Sequence, residues 1–217
     1  MTNKQITEYL LNTKKLISNS INDQSILNKV LPYGYDTEKL TEGQTLLNEA
    51  EEKSKNQNIQ YAEQYEATQR LHNLLESFDK TYGLHREIAR ALFEGEPGAW
   101  EMLHLTGRRR TALSDWLKKA RHFYGNIKNN ESLLNRMSEL GFTTEYLDTR
   151  LTELDEIENA MMQQARESGE AQQATVDRDK KIDELEDWVN LYKSVAKLAL
   201  ADQPQLLEKL GLLVRSN

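Results

Sequence analysis

Residues 1–110 laid over residues 108–217, with no gap, put 25 identical residues in register. Leu10 falls on Leu117, Leu27 on Leu134, Gly34 on Gly141, Thr37 on Thr144, Leu40 on Leu147, Ala89 on Ala196 and Pro97 on Pro204. Glu101, Leu103, Leu105 and Arg108 fall on Glu208, Leu210, Leu212 and Arg215, and the offset is always 107 (204 − 97 = 107). Other pairs keep their type: Tyr9 with Trp116, Leu16 with Phe123, Tyr35 with Phe142, Ile88 with Val195. A constant offset without insertions means the same elements, in the same order, with the same loop lengths. Helical composition alone does not bring Gly34, Pro97 and Arg108 into register together. The chain therefore reads as one supersecondary unit written twice, residues 1–107 and 108–217.

The unit itself reads as helical. Ile6, Tyr9, Leu10, Thr13, Leu16 and Ile17 recur at the i, i+3, i+4, i+7 spacing of an amphipathic helix. Asp23 is a candidate cap for the short helix that follows, and Pro32 and Gly34 end it. Asp36-Thr37-Glu38 opens the next helix, with Leu40 and Leu47 on one face. That helix runs into Asn48–Gln60, which is almost wholly polar. A turn near Asn56 to Asn58 is expected there, though no Gly or Pro marks it; the alternative is one very long helix. From Tyr61 a seam is expected through Tyr65, Thr68, His72, Leu75, Tyr82, Ala89 and Phe93, with Leu71, Leu74, Phe78, Ile88 and Leu92 beside it. Gly95 and Pro97 stop it, and Ala99–Leu105 is a short cap. The second unit repeats this, with Leu113, Trp116, Leu117, Ala120, Phe123, Tyr124 and Ile127 striping its first helix and Gly169 a candidate turn. The polar stretches 50–62 and 163–178 read as hairpin tips that project or fray. The inter-repeat connection carries Trp100, Met102, Leu103 and Leu105, so it reads as packed rather than as a flexible linker.

These readings give an all-α, internally duplicated antiparallel helical bundle with long helical hairpins and short capping helices. The two repeats are expected to pack as one pseudo-two-fold body, the alternative being two independent bundles each built from its own helices. With 217 residues the chain can bury a sizeable core without staples. The absence of Cys excludes disulfides and thiolate chemistry. No leader is read at the start and no apolar run approaches the ~20 residues of a membrane span, so a cytoplasmic protein with no membrane partner is expected.

Chemistry is sparse. Glu101-Met102-Leu103-His104 has the Glu-x-x-His spacing of carboxylate-bridged metal bundles, but residues 208–211 offer Glu without His. His104 is thus expected at the surface, and no metal, cofactor or catalytic residue is assigned. His72 and Glu76 form a candidate local polar pair, and His85 reads as a half-buried packing residue. No phosphate loop, zinc-protease helix or nucleophile elbow is present. The remaining feature is charge. The net charge is −7, yet Arg108, Arg109, Arg110, Lys118, Lys119, Arg121 and Lys128 face only Asp115 between Thr106 and Lys128 (7 − 1 = +6). Of these, Arg108, Arg109, Arg110, Lys118, Lys119 and Arg121 are the candidate contacts to a partner or to nucleic acid. The nearby Trp116, Phe123 and Tyr124 lie on the apolar stripe and read as core rather than as a base-stacking platform.

His104-Leu105-Thr106-Gly107-Arg108-Arg109, followed by Trp116-Leu117, Ala120-Arg121 and Phe123-Tyr124, resembles segments of uncharacterised all-helical bacterial proteins. Pro204–Leu212 resembles them too. The resemblance implies an all-helical fold and a bacterial setting, and brings no activity, cofactor or site residue. The expectation is a non-enzymatic protein that binds other protein or serves as a scaffold. The alternatives are a nucleic-acid-associated protein using residues 108–128, and an enzyme or metal-binding bundle.

Overall fold

The computed structural model describes residues 1–107 and 112–212. Its helices are α1 (Asn3–Asn22), α2 (Gln24–Val30), α3 (Thr37–Leu92), α4 (Pro97–Met102), α5 (Leu113–Asn129), α6 (Glu131–Ser138), α7 (Thr144–Ala199) and α8 (Pro204–Lys209). No strand occurs among the described residues.

Local chemistry sets the helix ends. Thr2 and Gln5 cap α1 reciprocally, each side chain meeting the other's backbone N–H. The Asp23 carboxylate accepts from the N–H groups of Ser25 and Ile26 and opens α2, as expected. Gly34 and Gly141 close the turns before α3 and α7 at φ 84° and 90°, a backbone that favours glycine. Pro97 and Pro204 stand at the first helical position of α4 and α8.

At α3 the expected turn fails and the alternative, one very long helix, holds; at α7 the turn expected at Gly169 fails. Each is a single unbroken helix of 56 residues, about 84 Å long at 1.5 Å per residue. No turn forms near Asn56 to Asn58, and Gly169 lies within α7. The supposed tips, 50–62 and 163–178, are helix interior. The physical reason is that residues 50–62 hold no Gly or Pro, that Glu, Lys, Gln and Ala all sustain a helix, and that the single Gly169 costs only about 1 kcal/mol relative to Ala in a helix interior. The long hairpins are therefore replaced by long helices. These start 107 residues apart (144 − 37 = 107) and have equal length.

The chain divides into two compact units, one formed by Met1–Ala62 with Gly169–Asn217 and the other by Glu63–Ser168. This division crosses position 107/108, so each unit draws on both halves of the chain. In the first unit, Ile17, Ile26, Leu40 and Leu47 share a core with Leu185, Val189, Tyr192, Ala196 and Leu200 of α7 and Leu207 of α8. Glu49 pairs with Lys181 at 2.8 Å and Lys53 with Asp177 at 3.6 Å, so the α3 and α7 segments run antiparallel. Trp188 lies flat on Gly43. A Cβ at position 43 would come within 2.4 to 2.6 Å of three indole atoms. Lys29 of α2 reaches Asp202 at 2.7 Å and ties α2 to the loop after α7.

In the second unit, Phe78, Tyr82, Ala89 and Phe93 of α3 share a core with Trp116, Ala120, Phe123 and Ile127 of α5, Met137 of α6, and Leu147 and Leu154 of α7. Gln64 meets Ser168 at 3.3 Å and Arg70 meets Gln163 at 3.2 Å, again antiparallel. Arg136 of α6 grips both oxygens of Glu96, donates to the Leu92 carbonyl and covers the Phe93 ring at 4.5 Å. Of the apolar residues in the inter-repeat connection, Leu103 and Leu105 are fully buried and Trp100 partly so, whereas Met102 is 41% exposed; Arg90 donates to the Leu105 carbonyl.

The seam on α3 is also corrected. Ala67, Leu71, Leu74, Phe78, Tyr82, His85, Ala89 and Phe93 face inward, whereas Tyr61, Tyr65, Thr68 and His72 are exposed. Tyr65 is 66% exposed. At this level the buried positions are the small Ala67 and Ala160, and Gln64 meets Ser168 across the pair.

Candidate functional site

The basic segment is held by α5, whose apolar stripe is buried as expected: Trp116, Leu117, Ala120, Phe123, Tyr124 and Ile127. This fixes the opposite side of α5 toward solvent and toward α7. Arg121 reaches Asp155 at 2.7 Å and Glu158 at 3.1 Å, and those carboxylates hold its guanidinium still more firmly protonated than usual. Lys119 pairs with Asp115 at 2.7 Å, one turn away on the same helix. Lys128 pairs with Asp148. Lys118 is exposed and has no ion pair among the described residues. Arg108, Arg109 and Arg110 lie outside the described residues. Lys118 and Arg121 border a shallow groove between α5 and α7, with Ser114, His122, Glu158 and Met162 along it. Most described cations of this segment therefore face carboxylates of their own unit.

The Glu-x-x-His spacing does not make a ligand pair. The α4 helix ends at Met102, and His104 follows it with φ 48°, so Glu101 and His104 share no helical face. No cluster of three or more His, Cys, Asp or Glu suited to a metal occurs among the described residues. His72 does pair with Glu76, at 3.7 Å, but in solvent rather than on a seam.

His85 is more deeply engaged than its sequence suggests. It is buried, with Nδ1 2.9 Å from the Tyr124 hydroxyl and Nε2 3.0 Å from the Tyr146 hydroxyl. Phe142 packs edge-on against the ring. The Arg150 guanidinium lies over Tyr146 at 5.0 Å and pairs with Glu153. Burial, and then the Arg150 charge, push the His85 pKa down to about 4. Burial also pushes Tyr124 upward. The repeat puts Tyr192, Ile17, Lys39 and Gly43 at the equivalent positions, where Tyr192 donates to Ser20 instead. With both ring nitrogens occupied, His85 has no free lone pair for general-base work and is a satisfied polar group of the core. Sequence spacing could not reveal it, because Tyr146 lies 61 residues from His85.

A pH dependence follows. An unfolded histidine titrates near 6.5, whereas folded His85 does so at about 4. Between these values the unfolded chain binds the extra proton, so this group's stability is complete above about pH 6.5 and is lost as pH falls toward 4. In urea unfolding of the intact chain, His85 should contribute a loss of about 3 kcal/mol across that window. His85→Gln should remove most of the difference, and an unchanged slope in that variant would assign the effect elsewhere.

Large apolar side chains are also exposed. Leu84 and Ile88 lie one turn apart on α3, 61% and 38% exposed. Leu191 and Leu198 lie two turns apart on α7, 61% and 64% exposed. No helix among the described residues is long and apolar enough to cross a membrane. No family model, curated protein or solved structure matches the chain.

Proposed function

We propose that this chain is a non-enzymatic interaction or scaffold protein whose two duplicated repeats each offer an apolar helix stripe to an amphipathic helix of a partner protein. The observation that carries this reading is the recurrence of Leu84 and Leu191. They occupy equivalent repeat positions (191 − 84 = 107), and both are 61% exposed. Isolated exposed leucines are ordinary. Here the same residue returns with the same exposure, extended along the helix by Ile88 in one case and Leu198 in the other. Residues at i, i+4 and i+7 form a ridge, and another helix fills such a ridge with its own side chains. The equal length of α3 and α7 and their 107-residue spacing support the duplication on which this reading rests.

The nucleic-acid reading has less support. Arg121, Lys119 and Lys128 spend their charge on Asp155, Glu158, Asp115 and Asp148, and a phosphate would have to displace those carboxylates.

The test is affinity purification from the native host with the intact chain and a Leu84→Glu, Leu191→Glu variant. Both substitutions are at exposed sites, so helicity and melting should be preserved. A partner recovered with the parent and lost with the variant supports the proposal. Equal recovery with both, or loss of the partner only when Lys118 and Arg121 are neutralised, would overturn it.

A further inference from the structure

His104 and His122 reach one another from different elements of the second unit, His104 from the loop after α4 and His122 from α5. Nε2 of His104 lies 3.3 Å from Nδ1 of His122, and the ring centroids are 5.4 Å apart. That separation is long for a hydrogen bond. Two nitrogens each ~2.0–2.1 Å from a tetrahedral ion stand about 3.3–3.4 Å apart, so the spacing matches two ligands on one such ion. The backbone adds a second observation. His104 has φ 48°, the left-handed region that side chains disfavour, and the repeat has Gly211 at the equivalent position with φ 72°. One repeat makes this turn with glycine; the other makes it with an imidazole. The loop is clamped on both sides. The buried Arg86 donates to the His104 carbonyl at 2.8 Å. Asn126, one turn beyond His122, donates to the Met102 carbonyl at 2.6 Å.

We propose that His104 and His122 form a two-histidine site for a divalent transition-metal ion of the zinc type. Imidazole nitrogen suits zinc, nickel and copper and is a poor ligand for calcium or magnesium. His122 is exposed and His104 partly so, which gives the ion a path. No third described His, Cys, Asp or Glu groups with the pair, so water fills the remaining positions. The site is open and exchangeable rather than a closed structural one. The other two histidines are unsuited: His85 has both nitrogens on tyrosine hydroxyls, and His72 stands apart with Glu76.

The test is zinc titration of the untagged full chain by calorimetry, with thermal melts at rising zinc. His104→Gly supplies the residue that the left-handed backbone favours, so it removes a ligand without harming the turn. His122→Ala is a change at an exposed site, and His72→Ala is the control. The parent and His72→Ala should bind one zinc per chain, and their melting temperature should rise with zinc by mass action. His104→Gly and His122→Ala should each lose that binding and that rise, while the metal-free melt of His104→Gly is equal to or above the parent's. Absence of zinc binding by the parent, retention of it in either ligand variant, or its loss in His72→Ala would overturn the proposal.

Discussion

Residues 1–107 and 108–217, expressed separately, are each expected to be largely unfolded as dilute monomers, and mixing them should restore helicity with one cooperative melt. Each core is shared between the repeats. Leu40 and Leu47 are buried with Leu185 and Val189, and Phe78 and Tyr82 with Trp116 and Leu147. Cutting at 107 removes one side of both cores and leaves two helices of about 84 Å with an apolar face in water. Helical propensity alone does not hold such a helix at room temperature. Mixing should also give one-to-one pairs rather than two homodimers. Trp188 fits only because position 43 is glycine. The repeat places Arg150 at the position of Gly43 and Thr81 at that of Trp188. A 108–217 homodimer would therefore set Trp188 against Arg150, and a 1–107 homodimer would leave the Gly43 notch facing threonine. Circular dichroism and sedimentation of each half and of the mixture decide this. Halves that melt cooperatively as monomers, near the intact chain's midpoint, would show that each repeat is self-sufficient.

The residues that betray a buried helix face were legible because burial there needs only the helical period. Ile6, Leu10, Leu16 and Ile17 are buried on α1, and Trp116, Leu117, Phe123 and Tyr124 on α5. The punctuation was legible for the same local reason: Asp23 caps, Gly34 turns, Pro97 starts a helix. What failed depended on partners distant in sequence. The stretch from Asn48 to Gln60 reads as a tip because it is almost wholly polar, with only Ala50 and Ile59 apolar. It is helix because no residue in it breaks one, and Glu49 and Lys53 there meet Lys181 and Asp177 on the other long helix. Tyr61 and Tyr65 looked like core because they are large and correctly spaced, yet the buried position there is Ala67, and Gln64 meets Ser168. Period cannot choose between two adjacent stripes when one is aromatic and the other small.

The candidate site was less legible than the fold. Charge counting found the basic segment but not its partners, since Asp148, Asp155 and Glu158 lie 20 or more residues beyond the cations they meet. The pairing of His104 with His122 depends on a left-handed residue that a sequence reads as ordinary. The Glu101-x-x-His104 spacing suggests a ligand pair that the backbone does not make, since α4 ends at Met102 and His104 has φ 48°.

Trp116→Ala is expected to destabilise the intact chain by about 3–5 kcal/mol, the range for removing a large buried aromatic side chain. Trp116 is 4% exposed. Its ring meets Phe78 edge-on at 5.7 Å and Tyr82 at 6.1 Å, and its indole N–H donates to the buried Asp79 carboxylate at 3.2 Å. Truncation opens a cavity beside two aromatic rings and removes a donor from a carboxylate that water barely reaches. The two losses separate in a second variant. Trp116→Phe keeps most of the ring volume and lacks the N–H, so its cost should be about 1–3 kcal/mol, that of a buried polar group losing a partner. Lys118→Ala, two residues away and exposed, should stay within about 0.5 kcal/mol of the parent. Chemical denaturation of all three against the parent gives the comparison, with an unchanged denaturant slope confirming that the same surface unfolds. If Trp116→Ala and Lys118→Ala cost equally little, Trp116 is not part of a close-packed core, and the second unit is held chiefly by contacts other than its aromatic cluster.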